Sequence, residues 1–337
     1  MAAAKDVTTV IVTGGTSGIG LQAAMLLLEE GARVIVTGRT AASVAGAVTK
    51  LSAVGGGGSV SGQAMDMTSL VAVQRCARRL RDSLGHVDLV LCNAGWQGVA
   101  SSGVPQRTRE GVESTVGINH LAHVLFVREL WPLIEASAER NRSAGLPRVR
   151  ITVVSSDLHD PDTPTGSAKM LGRRVDAVDP ADLGLERQIR DGTFDSTTAY
   201  KHAKLLNAMH GLELNTRLAD AGIHADANTV DPGFIPTSGL ARENGACVTC
   251  LMSVCLGCLF SGCCHCLFGQ PVRTLRDGAR SELFALREGP AGRFFHLDEV
   301  RPAAAMAEDG ELRARVMDGS VAMLAGLGFM GPPSPLG

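Results

Sequence analysis

The sequence predicts an α/β protein with a doubly wound parallel sheet in three layers, α/β/α. Two observations carry this prediction. Short runs rich in β-branched residues alternate with longer helical patterns from the N-terminus onward, an alternation that is typical of βαβ units. Runs such as residues 87–92 are also mostly apolar, which indicates strands covered by helices on both faces.

The elements are expected in a regular order. Strands are predicted at TTVIVTG, ARVIVTG, GSVSGQAMD, HVDLVLCNAG, RVRITVVSS, IHADANTV and GRFFHL. Helices are predicted at residues 21–30, 41–51 and 70–84, within 112–138, and at 197–221 and 272–286. Length alone would allow two domains, but no repeat or clear linker divides the chain. We therefore expect one domain over residues 1–337, with an irregular insertion at 157–195 and a Cys-rich apolar lid at 238–271.

The composition bears on partners and compartment. Hydrophobic residues at 45% and charged residues at 20% match an ordinary globular protein. A net charge of -2 gives no general attraction for nucleic acid, so no nucleic-acid partner is expected. The N-terminus carries no signal-peptide pattern. We expect an unprocessed, cytoplasmic chain whose nine cysteines are reduced thiols.

A glycine-rich turn, VTGGTSGIG, separates the first strand from the first helix. At this position backbone amides and the positive end of a helix can bind a pyrophosphate, and glycine lets the backbone approach the ligand closely. The alternative is a tight turn without a ligand, but the strand before it and the helix after it favour nucleotide binding. The candidate cofactor-binding residues here are Gly14, Thr16, Ser17, Gly18, Ile19 and Gly20.

Arg39 follows the second strand, where an NAD-specific site usually has an acidic residue for the ribose 2′-hydroxyl. Because an arginine can pair with a 2′-phosphate instead, it favours NADP(H), although a solvated loop charge is the alternative. After the third strand, Asp66 and its neighbour Met67 are candidates for the adenine side. Asp66 could also cap the next helix.

Tyr200, the only tyrosine of the chain, lies four residues before Lys204 in STTAYKHAK. Residues four apart share a helix face, so Lys204 is expected beside Tyr200, whereas Lys201 points elsewhere. A nearby ammonium would lower the pKa of the phenol and make it a usable acid or base. The pattern alone is also common on helix surfaces, and it gains specificity from the glycine turn upstream.

Six motifs in order resemble the short-chain dehydrogenase/reductase family: TGGTSGIG, CNAG, INH, VVSS, YKHAK and DPGFIPT. The resemblance covers nearly the whole chain and implies a Rossmann fold that transfers hydride between a nicotinamide and a carbonyl, alcohol or activated double bond. It implies Tyr200 as the proton donor, Lys204 as its tuning partner and nicotinamide-ribose ligand, Ser156 as the residue that polarises the substrate oxygen, and Asn119 in a water-linked proton relay. It assigns further cofactor contacts to Asn93, Ala94, Gly95, Pro232, Gly233, Ile235 and Thr237.

Within that family, the chain looks like the branch of retinol dehydrogenases and protochlorophyllide reductases. Protochlorophyllide reductases typically have a cysteine after the Pro-Gly pair, but here Phe234 follows it. The resemblance therefore favours an NADPH-dependent carbonyl reductase acting on a lipophilic substrate, with His159 and Phe234 in the substrate pocket. The alternatives are protochlorophyllide reductase-like reduction of a C=C bond and a scaffold or cofactor-sensing protein without turnover.

The segment GACVTCLMSVCLGCLFSGCCHCLFGQ contains no Lys, Arg, Asp or Glu. It is long enough to span a bilayer, but a lid over an apolar substrate, or peripheral membrane contact through 246–268, fits a single domain better. Zinc binding by Cys247, Cys250, Cys255 and Cys258 is a weaker alternative, because the setting is apolar and the two C-x-x-C pairs are close together. Thiol acylation at a membrane is another weaker alternative. No metal is assigned, and a homo-oligomer is left open.

Overall fold

The computed structural model describes residues 7–98, 104–163, 173–238, 272–332 and 334. Apart from Ser238, the predicted Cys-rich lid, with its candidate zinc ligands and membrane contact, lies outside the described residues. The same holds for residues 164–172 of the predicted insertion. No helix in the described ranges combines the length and apolar character that crossing a bilayer requires.

The strands form one sheet in the order β3-β2-β1-β4-β5-β6-β7-β8, which confirms the predicted doubly wound fold. Every neighbouring pair is parallel except β7 and β8, which are antiparallel. The strands are β1 Thr9–Val12, β2 Arg33–Gly38, β3 Ser59–Ala64, β4 Leu89–Cys92, β5 Val149–Val154, β6 Ala225–Asp231, β7 Phe294–His296 and β8 Glu299–Arg301. The strand order reverses between β1 and β4, and ligands of such sheets bind at the carboxyl ends of the strands beside this point.

Helices cover both faces of the sheet and bury two apolar cores. The helices are α1 Gly18–Glu29, α2 Ala41–Ser52, α3 Leu70–Ser83, α4 Ala122–Ala144, α5 Glu186–Arg190, α6 Ser196–Asp220, α7 Leu275–Arg287, α8 Ala305–Glu308 and α9 Gly310–Gly326. One core joins the sheet to α1 and α7, and the other joins it to α3, α4 and α6. The three-layer prediction is therefore confirmed.

Three features differ from the sequence expectation or extend it. A short helical turn Ser114–Val116 and a π-helical turn Gly117–Leu121 precede α4. The described part of the irregular insertion contains a 3-10 turn Asp157–His159 and α5. Beyond residue 296, where the sequence predicted no elements, the chain adds an edge strand and two helices. Strand β8 has only three residues, too few to show an alternating pattern.

Candidate active site

The glycine turn between β1 and α1 has the shape that a phosphate site requires. Gly14 and Gly18 adopt left-handed φ angles of 67° and 59°, which residues with a Cβ rarely adopt. A Cβ on Gly18 would lie 2.6 Å from the carbonyl oxygen of Ser238, and one on Gly20 would lie 2.4 Å from Nδ2 of Asn93. No acidic residue lies in the first turn of α1, so nothing there offsets the positive end of the helix.

The turn after β4 is bonded directly to the glycine turn. Asn93 Nδ2 donates to the carbonyl oxygen of Thr13 at 2.8 Å, and the backbone N–H of Ala94 donates to Thr13 Oγ1 at 3.0 Å. Gly95 follows and is exposed. The structure therefore brings the predicted residues 93–95 to the edge of the predicted phosphate site.

The end of β2 reaches the same site. A Cβ on Gly38, the last residue of β2, would lie 2.3 Å from Cγ2 of Thr16. Arg39 is the next residue and is exposed, and no ion pair to it occurs among the described residues. Arg39 is therefore an exposed cation that follows directly on a residue in contact with the glycine turn.

Asp66 does not cap the helix that follows it. Its carboxylate accepts from the backbone N–H and the hydroxyl of Thr68 and pairs with Arg109 at 3.2 Å. The N-cap of α3 is Ser69, whose hydroxyl accepts from Ala72 N. Met67 is half-buried and packs against the core around α3.

Tyr200 and Lys204 lie on one face of α6, as their spacing predicts. The Lys204 Nζ is 5.7 Å from the centre of the Tyr200 ring and donates to the carbonyl oxygen of Val154 at 3.0 Å, at the carboxyl end of β5. Lys201 instead donates to the carbonyl oxygen of Arg173. Geometry thus separates the two lysines.

The two serines after β5 have different environments. Ser156 is half-buried, its Oγ accepts from the backbone N–H of Leu158 at 3.3 Å, and its side chain lowers the pKa of Tyr200. The Ser155 hydroxyl donates to the backbone oxygen of Lys204 at 2.7 Å and is 2% exposed, so it ties β5 to α6. Of the two serines, Ser156 is the one that acts on the phenol.

Burial controls the titration of the catalytic pair. Burial, and next the charge of Asp231, raise the pKa of Tyr200, and the bond from Ser156 only partly offsets this. Burial lowers the pKa of Lys204 to about 8. The expected lowering of the phenol pKa by the ammonium is therefore wrong in direction, because desolvation of the phenolate outweighs it. Tyr200 is a protonated phenol at neutral pH.

The side chain of Asn119 is occupied in a role that the sequence did not indicate. It accepts from the backbone N–H of Trp96 at 2.7 Å and donates to the Trp96 carbonyl oxygen at 2.9 Å. Asn119 lies in the π-helical turn, and its backbone carbonyl oxygen is hydrogen-bonded to Nδ1 of His123. The residue therefore positions Trp96 after the β4 turn, and the predicted proton relay stays a prediction.

The segment after β6 closes over the glycine turn. Gly233 has a φ of 85° and donates its N–H to Asp231. Ile235 packs against Gly278 of α7, since a Cβ added to Gly278 would lie 2.2 Å from the Cδ1 of Ile235. Pro232 and Ile235 are buried, Phe234 is half-buried and Thr237 is exposed. The contact of Ser238 with Gly18 brings this predicted cofactor segment to the phosphate site.

His159 does not line a pocket. It is 1% exposed, its Nδ1 donates to the carbonyl oxygen of Ser156 at 2.7 Å, and its Nε2 accepts from the N–H of Ala304. These bonds require the neutral Nδ1–H tautomer, and burial lowers its pKa. The ring therefore anchors the residues after β5 to the C-terminal segment and offers no free nitrogen to a substrate.

Asp231 is a site residue that the sequence motifs did not indicate. Its carboxylate bonds Nδ1 of His296 at 2.8 Å and acts electrostatically on Tyr200. Asp157, Asp231 and His296 also form the one group among the described residues with three ligand atoms close enough for a metal ion. Several of these atoms are already bonded to one another, to Gly233 and to Thr163. An acid at the end of a central parallel strand was the available signal.

The fold and this site define an α/β protein with a dinucleotide-type phosphate turn and a Ser-Tyr-Lys cluster. The family model for short chain dehydrogenases matches residues 8–156. Protochlorophyllide reductase of Avena sativa is 30% identical over 249 residues, which cover 70% of this chain and 74% of that protein. The chain therefore belongs to the short-chain dehydrogenase/reductase family, whose members are oxidoreductases that bind NAD(P).

Further relatives identify the branch of the family. Dehydrogenase/reductase SDR family member 13 of Bos taurus is 29% identical over 329 residues, covering 95% of this chain and 74% of that protein. Polyprenol dehydrogenase of Homo sapiens is 28% identical over 228 residues, which cover 67% of this chain and 60% of that protein. These relatives support the predicted retinol dehydrogenase and protochlorophyllide reductase-like branch.

Solved structures support the fold. The RhlG/NADP active-site complex of Pseudomonas aeruginosa has a TM-score of 0.59 and 22% identity, over 86% of this chain and 94% of that one.

Proposed function

We propose that the chain is an NADP(H)-dependent oxidoreductase that transfers hydride to or from a lipophilic carbonyl or alcohol, with Tyr200 as general acid or base. The observation that carries the proposal is the convergence of Ser156, Tyr200 and Lys204 at the carboxyl end of β5, beside the glycine turn. A protein that only binds a cofactor has no need for a buried phenol with a hydroxyl and an ammonium next to it.

In carbonyl reduction, the protonated Tyr200 donates its proton to the substrate oxygen. The Ser156 hydroxyl, which acts on the same phenol, holds that oxygen within reach and stabilises the charge that develops on it. Lys204, whose pKa of about 8 lies near neutrality, favours the phenolate left behind. Bound NADPH supplies the hydride.

The residues of the glycine turn fit a dinucleotide. The left-handed glycines have no Cβ, which would clash with the neighbouring chain, so the backbone can approach a ligand closely. The positive N-terminal end of α1 favours a pyrophosphate there. Arg39 supports NADP(H) over NAD(H), because it is exposed and directly follows Gly38, which lies against Thr16 of the glycine turn. The RhlG/NADP complex of Pseudomonas aeruginosa is an example of this fold with NADP bound.

Two features support a lipophilic substrate. Polyprenol dehydrogenase, by its name, acts on a polyprenol, and the uncharged Cys-rich segment begins at Gly245, shortly after the predicted cofactor contact Thr237. A cover of apolar residues would select substrates by burial, at about 25 cal/mol per Å².

The test is turnover by the purified chain with NADPH and NADH against matched aldehydes and ketones of increasing chain length. We expect oxidation of NADPH, a preference for NADPH over NADH, and efficiency that rises with chain length. An activated C=C compound in the same series tests the alternative suggested by the protochlorophyllide reductases. Turnover no faster than that of Tyr200→Phe with every compound would contradict the proposal.

A further inference from the structure

Helix α4 carries a buried histidine in its first turn that the proposed reaction does not use. His123 is 0% exposed, and both of its ring nitrogens have partners. Nδ1 lies 2.9 Å from the backbone carbonyl oxygen of Asn119, and Nε2 lies 2.9 Å from Oγ1 of Thr13. One partner precedes α4 and the other follows β1, so the ring joins two segments that are far apart in the sequence.

The partners of His123 determine which ring nitrogen carries the proton. A carbonyl oxygen only accepts hydrogen bonds, so the bond to Asn119 requires a proton on Nδ1. Burial lowers the pKa of His123 to about 4, so the ring is uncharged at neutral pH and Nε2 is an acceptor. The Thr13 hydroxyl therefore donates its proton to Nε2 of His123.

The bond to the ring fixes the orientation of the Thr13 hydroxyl. Another acceptor, the carbonyl oxygen of Leu91, lies farther from this hydroxyl at 3.3 Å and already accepts from the backbone N–H of Thr13 at 3.0 Å. With its proton directed to His123, the hydroxyl oxygen accepts from the backbone N–H of Ala94 at 3.0 Å. The ring thus acts through Thr13 on the turn after β4.

The second partner of the ring reaches the same turn at its other end. The side chain of Asn119 accepts from the backbone N–H of Trp96 at 2.7 Å and donates to the Trp96 carbonyl oxygen at 2.9 Å. The ring bonds the backbone oxygen of that same asparagine. One path therefore ends at Ala94 and the other at Trp96, and both begin at one imidazole ring.

We infer that His123 is a positioning residue, and that its uncharged ring, with the proton on Nδ1, clamps the turn after β4 at both ends. This clamp holds the predicted cofactor contacts at residues 93–95 against the glycine turn, where Asn93 also donates to the carbonyl oxygen of Thr13. The inference rests on the proposed function only for its consequence on NADPH binding, since the ring and the turn can be measured without any ligand.

The first measurement is the position of the proton on His123. The chain has nine histidines, few enough for long-range 1H–15N NMR of the full chain labelled with 15N in its imidazole rings. The signals that disappear in His123→Gln give the assignment. At neutral pH we expect an uncharged ring with its proton on Nδ1. A proton on Nε2, or on both nitrogens, overturns the inference.

The second measurement is hydrogen exchange at the clamped turn in His123→Phe, which keeps an aromatic ring and removes both bonds. Because the Thr13 hydroxyl then lacks its acceptor, the backbone amides of Ala94 and Trp96 should exchange faster by about tenfold or more. The matched control is His210→Phe, since His210 is 1% exposed and neither of its ring nitrogens has a hydrogen-bond partner among the described residues. The control should leave both rates unchanged, and unchanged rates in folded His123→Phe overturn the clamp.

His123→Gln separates the hydrogen bond from the packing of the ring, and it serves also if the phenylalanine variant folds poorly. Its amide oxygen can accept from the Thr13 hydroxyl in place of Nε2. Exchange at Ala94 should therefore stay within about threefold of the parent rate. Exchange in folded His123→Gln that is tenfold faster than in the parent overturns the inference, because a general packing defect then accounts for the result.

NADPH binding supplies the functional readout. Calorimetric titration should show affinity weakened by about tenfold or more in His123→Phe, and affinity close to that of the parent in His123→Gln and His210→Phe. Faster exchange with unchanged NADPH affinity overturns the claim that the clamp serves the cofactor. A parent chain that binds neither NADPH nor NADH contradicts the proposed function, whereas the proton position and the exchange rates still decide whether the clamp exists.

Discussion

The two ends of the candidate site are built by different means. At the phosphate end, the shape comes from backbone: glycines with left-handed φ angles, a helix terminus without an acid, and close contacts that exclude a Cβ. At the catalytic end, the function depends on side chains, and Tyr200 and Lys204 are both almost fully buried.

The two ends differ in the substitutions that they tolerate. A backbone site depends on which residues lack a side chain, so a single methyl group can block it. A buried side-chain site depends on charge, since desolvation moves each pKa and neighbouring charges move it back. The two ends should therefore be separable by mutation, and the predictions that follow test this separation.

The largest effect is expected at the catalytic end. Tyr200→Phe removes the proton that the substrate oxygen receives, and kcat should fall by about 10² to 10⁴-fold. NADPH binding should change little, because the glycine turn is untouched. Steady-state kinetics and NADPH titration measure the two properties separately. A variant that retains the parent kcat would remove Tyr200 from the chemistry.

The reverse separation is expected for Gly20→Ala. Its Cβ would meet Asn93 Nδ2 at 2.4 Å and the backbone of Gly14 at 2.8 Å, so the turn must shift, and NADPH affinity should fall by at least about tenfold. Gly46→Ala is the control, because Gly46 lies inside α2 with nothing within 4 Å. That change should raise stability by about 0.5–1 kcal/mol. Calorimetric titration and urea unfolding measure both effects.

Cofactor selectivity should respond to charge at the phosphate end alone. Arg39→Asp places a carboxylate beside the expected position of the 2′-phosphate, and the preference for NADPH over NADH should fall about tenfold or more. Arg33→Asp is the matched control, since Arg33 is an exposed arginine at the opposite end of the same strand. If both variants change the ratio of cofactor efficiencies equally, selectivity depends on overall charge and not on the site.

A separate prediction concerns stability and tests a buried histidine behind the catalytic end. Burial lowers the pKa of His202 to about 4, while the unfolded chain titrates near 6.5. As pH falls below 6.5 the unfolded state takes up protons that the folded state does not, so stability is lost between about pH 6.5 and 4. His202→Asn should reduce the stability difference between pH 7 and pH 5 by about 2 kcal/mol. Urea unfolding at the two pH values measures it, and a difference equal to that of the parent would contradict the prediction.

The sequence predicted the alternation of strands and helices and the local motifs. Every predicted strand is present, and the spacing of Tyr200 and Lys204 put them on one helix face. The sequence did not predict the hydrogen-bonding roles of Asp66, Asn119 and His159. Each of these side chains is bonded to a segment distant in sequence or to a turn whose shape depends on packing.

The sequence by itself determined the fold class and the residue types at the carboxyl edge of the sheet, because strand periodicity, helix spacing and glycine positions are local properties of the chain. Only the tertiary structure decided which serine acts on the phenol and the direction in which the pKa of Tyr200 moves. Burial and electrostatic interaction depend on distances between residues far apart in the chain, and packing of the two helix layers on the sheet sets those distances.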